Sequence, residues 1–98
     1  MFRPKYTKPD ENQAEIVEKI RAKGMVVWDT HHAGGYIFDL IVFWKGRCIP
    51  VEVKHPGYTD SDFTDKERES MRLLTEMGIT FLVATSAEGL ENDWPKEE

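Results

Sequence analysis

The chain has one cysteine, Cys48, which excludes an intrachain disulfide and suits a reducing compartment. No apolar run approaches the roughly 20 residues of a membrane span. Residues 1–8 are basic and lack the apolar centre of a secretory signal, so the expectation is a cytoplasmic protein with no membrane association. Internal repeats and low-complexity tracts are missing. So is any zinc pattern, because His31, His32, His55 and Cys48 fall at spacings that fit no usual zinc site. Positive charge is also in deficit, with 13 Lys and Arg against 18 Asp and Glu, a net charge of −5. A broadly basic nucleic-acid surface is therefore excluded. Any DNA binding must rest on local basic patches and be weak and salt-sensitive.

Ninety-eight residues suffice for one small domain with a modest core. The expected division is a basic arm over residues 1–9, a folded domain over 10–90 and an acidic tail over 91–98. Pro9-Asp10 followed by Gln13 resembles a helix start with a capping-box partner, and Gly24 is a suitable stop. Gln13, Ile16, Val17 and Ile20 form one stripe of that helix. A short strand over residues 25–28 follows, then a loop over 30–36 containing Gly34-Gly35. Residues 37–44 and 47–54 read as a hairpin joined by Lys45-Gly46. A flexible polar loop should lead from His55 to Asp62. Thr64-Asp65-Lys66-Glu67 is a second capping box, opening a helix that buries Met71, Leu74 and Met77. Gly78 ends it, a buried strand covers residues 79–84, and residues 86–90 form a helical turn. The order αβββαβ implies an α/β domain with a mixed sheet flanked by helices.

Within the hairpin, a two-residue turn at Lys45-Gly46 pairs Trp44 with Arg47, and counting back sets Asp39 opposite Glu52. Directly opposed carboxylates share one sheet face and repel. Lys54 points the same way as Glu52, because side chains alternate along a strand. Two acids and a lysine among Ile, Leu, Val and Phe are costly unless compensated, and a divalent cation is the obvious compensation. Asp39 and Glu52, with the Val53 carbonyl, offer the oxygen ligands that Mg²⁺ takes, and Mn²⁺ would substitute. Lys54 is placed to orient an attacking water or to stabilise charge developing on a phosphate.

The element order and these residues resemble the PD-(D/E)XK nuclease superfamily, with its restriction-endonuclease-like core. Glu52-Val53-Lys54 matches the (D/E)-x-K element in full. Phe38-Asp39 stands where the superfamily often has Pro-Asp, so the acid is kept and the proline is missing. The run from Asn12 to Val17, the Gly34-Gly35 loop and the second helix are similar to archaeal-type Holliday junction resolvases and virus-type replication and repair nucleases, phage-encoded members among them. The likeness covers residues 11–90. Resolvases of this type carry a first-helix glutamate with apolar residues three, four and seven positions later. Gln13 has that relation to Ile16, Val17 and Ile20, which assigns it the role, acting through a metal-bound water; a two-residue shift of the helix would bring in Glu15 instead.

The resemblance implies a Mg²⁺-dependent endodeoxyribonuclease that resolves four-way junctions. Two symmetric nicks need two sites, so one 98-residue chain would act as a homodimer. Arg3 and Lys5 in the basic arm, Arg47 at the hairpin tip, His32, His55 and Tyr58 are the candidate DNA contacts. Competing readings are cleavage of flaps, single strands or duplex, a nuclease-derived module that binds DNA without cutting, and a structural virion protein.

Overall fold

A computed structural model describes residues 9–30 and 38–96. Helix α1 (Pro9–Ala22) leads into β1 (Val26–Asp29), and β2 (Leu40–Trp44) and β3 (Arg47–Val53) form the hairpin. After a short 3₁₀ turn at Asp60–Asp62 come α2 (Asp65–Glu76), β4 (Leu82–Ala84) and α3 (Ala87–Asp93). The four strands lie in the order β1-β2-β3-β4, antiparallel except for the parallel pair β3-β4. The expected α/β class and mixed sheet are therefore observed, and the sequence order continues into α3. The basic-arm residues Arg3 and Lys5, together with His32 and the glycine loop, lie outside the described residues. Among the described residues no helix is long and apolar enough to cross a membrane.

Alternation along the strands divides the sheet into two unlike faces. Val27, Leu40, Val42, Ile49, Val51 and Ala84 point toward α1 and α3, where Ile16, Val17, Ile20, Ala87, Leu90 and Trp94 complete the core. Ile20, Leu40 and Leu90 are almost wholly removed from water. Burial of each such side chain stabilises by roughly 1.5–3 kcal/mol. On the opposite face Ile41 and Pro50 meet Leu73, Leu74 and Met77 of α2 across an apolar groove of about 290 Å³. This face is covered less completely.

Three local expectations change. Helix α1 begins at Pro9, a residue whose fixed φ suits a first helical position. Gln13 therefore lies inside the helix rather than closing a capping box, and its amide reaches Asp29. The buried strand expected over residues 79–84 shortens to Leu82–Ala84. Its first residues are taken by the end of α2: Gly78 holds φ +75°, its N–H donates to the Thr75 carbonyl, and the Ile79 N–H donates to the Leu74 carbonyl. That is a Schellman stop, and it leaves Ile79 exposed. In α2 the buried residue is Ser70, while Met71 and Leu74 are half-buried and Met77 is 64% exposed.

The packed unit also runs past residue 90 into the segment expected to be an acidic tail. Ser86 caps α3 by accepting from the Gly89 N–H, and the helix continues to Asp93. Trp94 then folds against the core, its ring edge-on to Trp44 at 5.7 Å. Its indole N–H is buried and finds no acceptor among the described residues. Trp94→Ala is expected to lower unfolding free energy by roughly 3–5 kcal/mol. Trp94→Phe, which keeps an aromatic ring and removes the unpaired donor, should cost much less. Urea denaturation of both variants checks this, and a neutral Trp94→Ala would return the segment to the tail.

Candidate active site

The site begins at the hairpin turn. Lys45 and Gly46 hold φ values of +52° and +76°, the two positive angles a type I′ turn requires. The pairing then runs Trp44 with Arg47 through to Leu40 with Val51, so the next step sets Asp39 across from Glu52. Asp39 is pinned from two sides. Its Oδ2 accepts from the Val53 N–H at 2.9 Å, and its carbonyl accepts from the Thr30 N–H at 2.9 Å, where the chain leaves β1. The Thr30 hydroxyl donates to the adjoining Phe38 carbonyl, and the Phe38 ring rests on Phe81 at 5.4 Å.

Glu52 is 3% exposed, between the paired Val83 of β4 and the apolar neighbours of its own strand. Burial pushes its carboxyl up to about 9, reinforced by a hydrogen bond to Glu67 and by the negative charges of Asp39 and Glu67; Lys54 acts in the other direction. Burial and the neighbouring negative charges thus favour the protonated form of Glu52. Burial also works against ionised Glu67, but hydrogen bonds from Glu52, Lys54 and the Thr64 N–H outweigh it and hold its pKa below the usual glutamate value.

The Lys54 N–H donates to the Ala84 carbonyl at 2.9 Å, anchoring the end of the strand beside β4. Its ammonium lies 3.8 Å from Glu52 Oε2 and donates to Glu67 Oε1 at 2.9 Å and to the Asp62 carbonyl at 2.8 Å. The Phe63 ring lies beneath it at 4.8 Å. The loop expected to be flexible is thus organised. The Thr59 N–H donates to Asp62 Oδ2 at 2.7 Å, Arg68 clasps the Asp60 and Phe63 carbonyls, and Tyr58 stands edge-on to Phe63 at 5.6 Å. His55 donates through Nδ1 to the Pro56 carbonyl and faces Asp62 at 3.8 Å.

The structure thus brings together Asp39, Glu52 and Lys54, with His55 and Tyr58 on the adjoining loop. It does not bring in Arg47, which begins β3 roughly 17 Å from Glu52 at the rise of an extended strand. Gln13 is buried, but its Nε2 donates to Asp29 Oδ1 at 3.0 Å, so its amide serves the end of β1. Val53 meets Asp39 through its N–H, while its side chain packs on the core. The residue that sequence reasoning missed is Glu67. Its capping box was visible, but nothing in a local motif signals that the same carboxylate also reaches Lys54.

Among the described residues no group of three or more His, Cys, Asp and Glu side chains forms a ready metal cluster. The donor chemistry nevertheless suits a hard cation that keeps several waters: Asp39 and Glu52 offer oxygens, Asp39 and Glu67 both act on Glu52 with negative charge, and Lys54 meets Glu52 and Glu67. A proton on Glu52 relieves that excess of negative charge.

No family model matches the chain, and no curated relative does. A solved structure described as a VRR_NUC domain superposes with a TM-score of 0.66, covering 88% of this chain and 96% of the other at 20% identity. At that identity the likeness establishes a common fold.

The raised Glu52 value carries a stability consequence. The folded chain binds this proton more tightly than the unfolded one, so the stabilisation is complete below about pH 4.5 and is lost as pH rises through about 9. Glu67 contributes with the opposite sign, its share fading on acidification. In metal-free buffer the Tm should fall from mildly acidic to alkaline pH. Glu52→Gln, which cannot ionise, should flatten that slope. Thermal unfolding followed by circular dichroism at a series of pH values is the measurement, and equal slopes in both proteins would remove Glu52 as the source.

Proposed function

We propose that this domain is a Mg²⁺-dependent, structure-specific DNA endonuclease whose preferred substrate is a four-way junction, acting as a homodimer. The observation that carries the reading is the register-fixed trio of Asp39, buried Glu52 and Lys54 at adjoining strand ends. The fold supports it, being shared with a VRR_NUC domain, a PD-(D/E)XK-type nuclease domain.

Asp39, Glu52 and the Val53 carbonyl would hold the cation, with Mn²⁺ as a substitute. When bound, such an ion polarises the scissile phosphate and lowers the pKa of the attacking water. Lys54 stabilises the charge that develops on the phosphate as the water oxygen bonds to phosphorus and the P–O ester bond breaks. Gln13 acts at one remove. It braces Asp29, and the next residue, Thr30, hydrogen-bonds the Asp39 carbonyl. His55 and Tyr58, on the loop beside Lys54, are the contacts nearest the chemistry for phosphate and base. Arg3, Lys5 and His32, which lie outside the described residues, would be further phosphate contacts, and Arg47 would meet a distant arm of a branched substrate. Val26 and Trp28, 65% and 62% exposed on edge strand β1, are apolar surface that a two-fold pairing would cover.

A net charge of −5 and an amide at position 13 favour a second reading, a module that holds branched DNA without cutting it. Incubation of a synthetic four-way junction with the protein and Mg²⁺ or Mn²⁺ separates the two. Endonuclease action requires paired nicks, their loss in Asp39→Ala, and a fall of roughly 10²–10³-fold in kcat for Lys54→Ala. Cleavage should also weaken as salt is raised, because each phosphate contact releases condensed counterions on binding. Binding without nicking, on this and on flap, single-stranded and duplex substrates, would leave the non-cleaving module.

A further inference from the structure

A lysine ammonium sits on a flexible four-carbon stem and takes its position from what surrounds it. Around Lys54 the partners are the Asp62 carbonyl, Glu52 Oε2 and Glu67 Oε1. Of these, Glu67 alone comes from α2. Its Oε1 also accepts from the Thr64 N–H at 2.9 Å, while Thr64 Oγ1 accepts from the Glu67 N–H at 3.1 Å. One carboxylate oxygen therefore closes the helix cap and holds the ammonium. The Glu67 side chain is 28% exposed, turned toward the site rather than into solvent.

The rest of α2 packs on the sheet through apolar contacts, with Ser70 buried, Met71 and Leu74 half-buried and Met77 64% exposed. Without Glu67 the ammonium would keep the Asp62 carbonyl and Glu52. The second of these would draw it toward the carboxylate that the proposed cation needs.

We infer that Glu67 is a positioning residue for Lys54: through Oε1, the first turn of α2 fixes where the ammonium stands during phosphodiester cleavage. This rests on the endonuclease reading above. Glu67 itself touches no reacting atom.

The test compares Glu67→Ala, Glu67→Gln and Thr64→Ala with wild type and Asp39→Ala in steady-state junction cleavage. Melting curves and ¹⁵N-edited NMR of the Lys54 ammonium accompany each variant. Glu67→Ala should lower kcat at least tenfold with KM changed less than twofold, and should broaden the Lys54 signal beyond detection. Glu67→Gln retains an acceptor oxygen, so it should keep kcat within threefold of wild type and preserve the signal. Thr64→Ala removes the other half of the cap; it should lower Tm comparably and leave kcat within twofold.

If Thr64→Ala loses as much kcat as Glu67→Ala, the carboxylate acts only as a cap and the inference fails. Full activity in Glu67→Ala beside an inactive Asp39→Ala also overturns it, with the endonuclease reading intact. A wild-type protein that cuts no substrate with Mg²⁺ or Mn²⁺ overturns both together.

Discussion

Both residues of the turn at Lys45-Gly46 hold positive φ, and that backbone geometry counts out the pairing of β2 with β3 one residue at a time. A slip of one position would turn every side chain of a strand to the other face. With β3 slipped against β2, Val51 would leave the core, and Glu52 would enter it among Ile16, Ile20 and Leu90. The buried face thus enforces the register, and the register sets Asp39 against Glu52. The Val53 N–H then ties Asp39 to β3 at the point where regular pairing stops. Folding stability and site geometry are consequences of one constraint, which is why the acids can sit at strand ends without a dedicated scaffold of their own.

Electrostatics works against that arrangement. Glu52 and Glu67 flank the Lys54 ammonium, the charge of Asp39 acts on Glu52 as well, and Glu52 is almost wholly removed from water. A surplus negative charge at such a place is relieved by a proton or by a cation. The proton solution makes Glu52 a hydrogen-bond donor to Glu67, which in turn stays ionised and holds Lys54. The neutral acid, the charged acid and the ammonium form one chain of contacts linking β3 to α2. Glu52 and Lys54 thus meet the same carboxylate of Glu67.

Much of this was legible in the residues because it is local. The turn at Lys45-Gly46, the box from Thr64 to Glu67 and the stop at Gly78 are each determined by a few neighbouring residues, and all three are observed. Apolar spacing likewise identified the buried stripe of α1. Tertiary destinations were not legible. Periodicity places Gln13 on the inner side of its helix, but whether its amide meets Asp29 or a catalytic carboxylate depends on how α1 lies over β1. Tail composition over residues 91–98 is that of solvated chain, yet one large aromatic, Trp94, gains enough by burial beside Trp44 to fix its segment against the core. Glu67 met a simple expectation and concealed a second one, because a helix cap exhausts what four consecutive residues can reveal.

The two faces of the sheet differ in a way that bears on chemistry. The face under α1 and α3 is closed and apolar, and it supplies the rigidity that holds backbone N–H groups such as that of Val53 in place. The other face carries the acids, Lys54 and α2, which is tied to Lys54 through Glu67 in its first turn and packs more loosely beyond it. Its apolar groove between Pro50 and Leu74 is only partly filled. Sparse burial of this kind lowers the local cost of displacement relative to global unfolding. Under the proposed function, a substrate as large as branched DNA would approach that face. Precise groups on a closed core, opposite a helix with freedom to adjust, meet both demands of such a site, since reactive geometry needs support from behind and entry needs compliance in front.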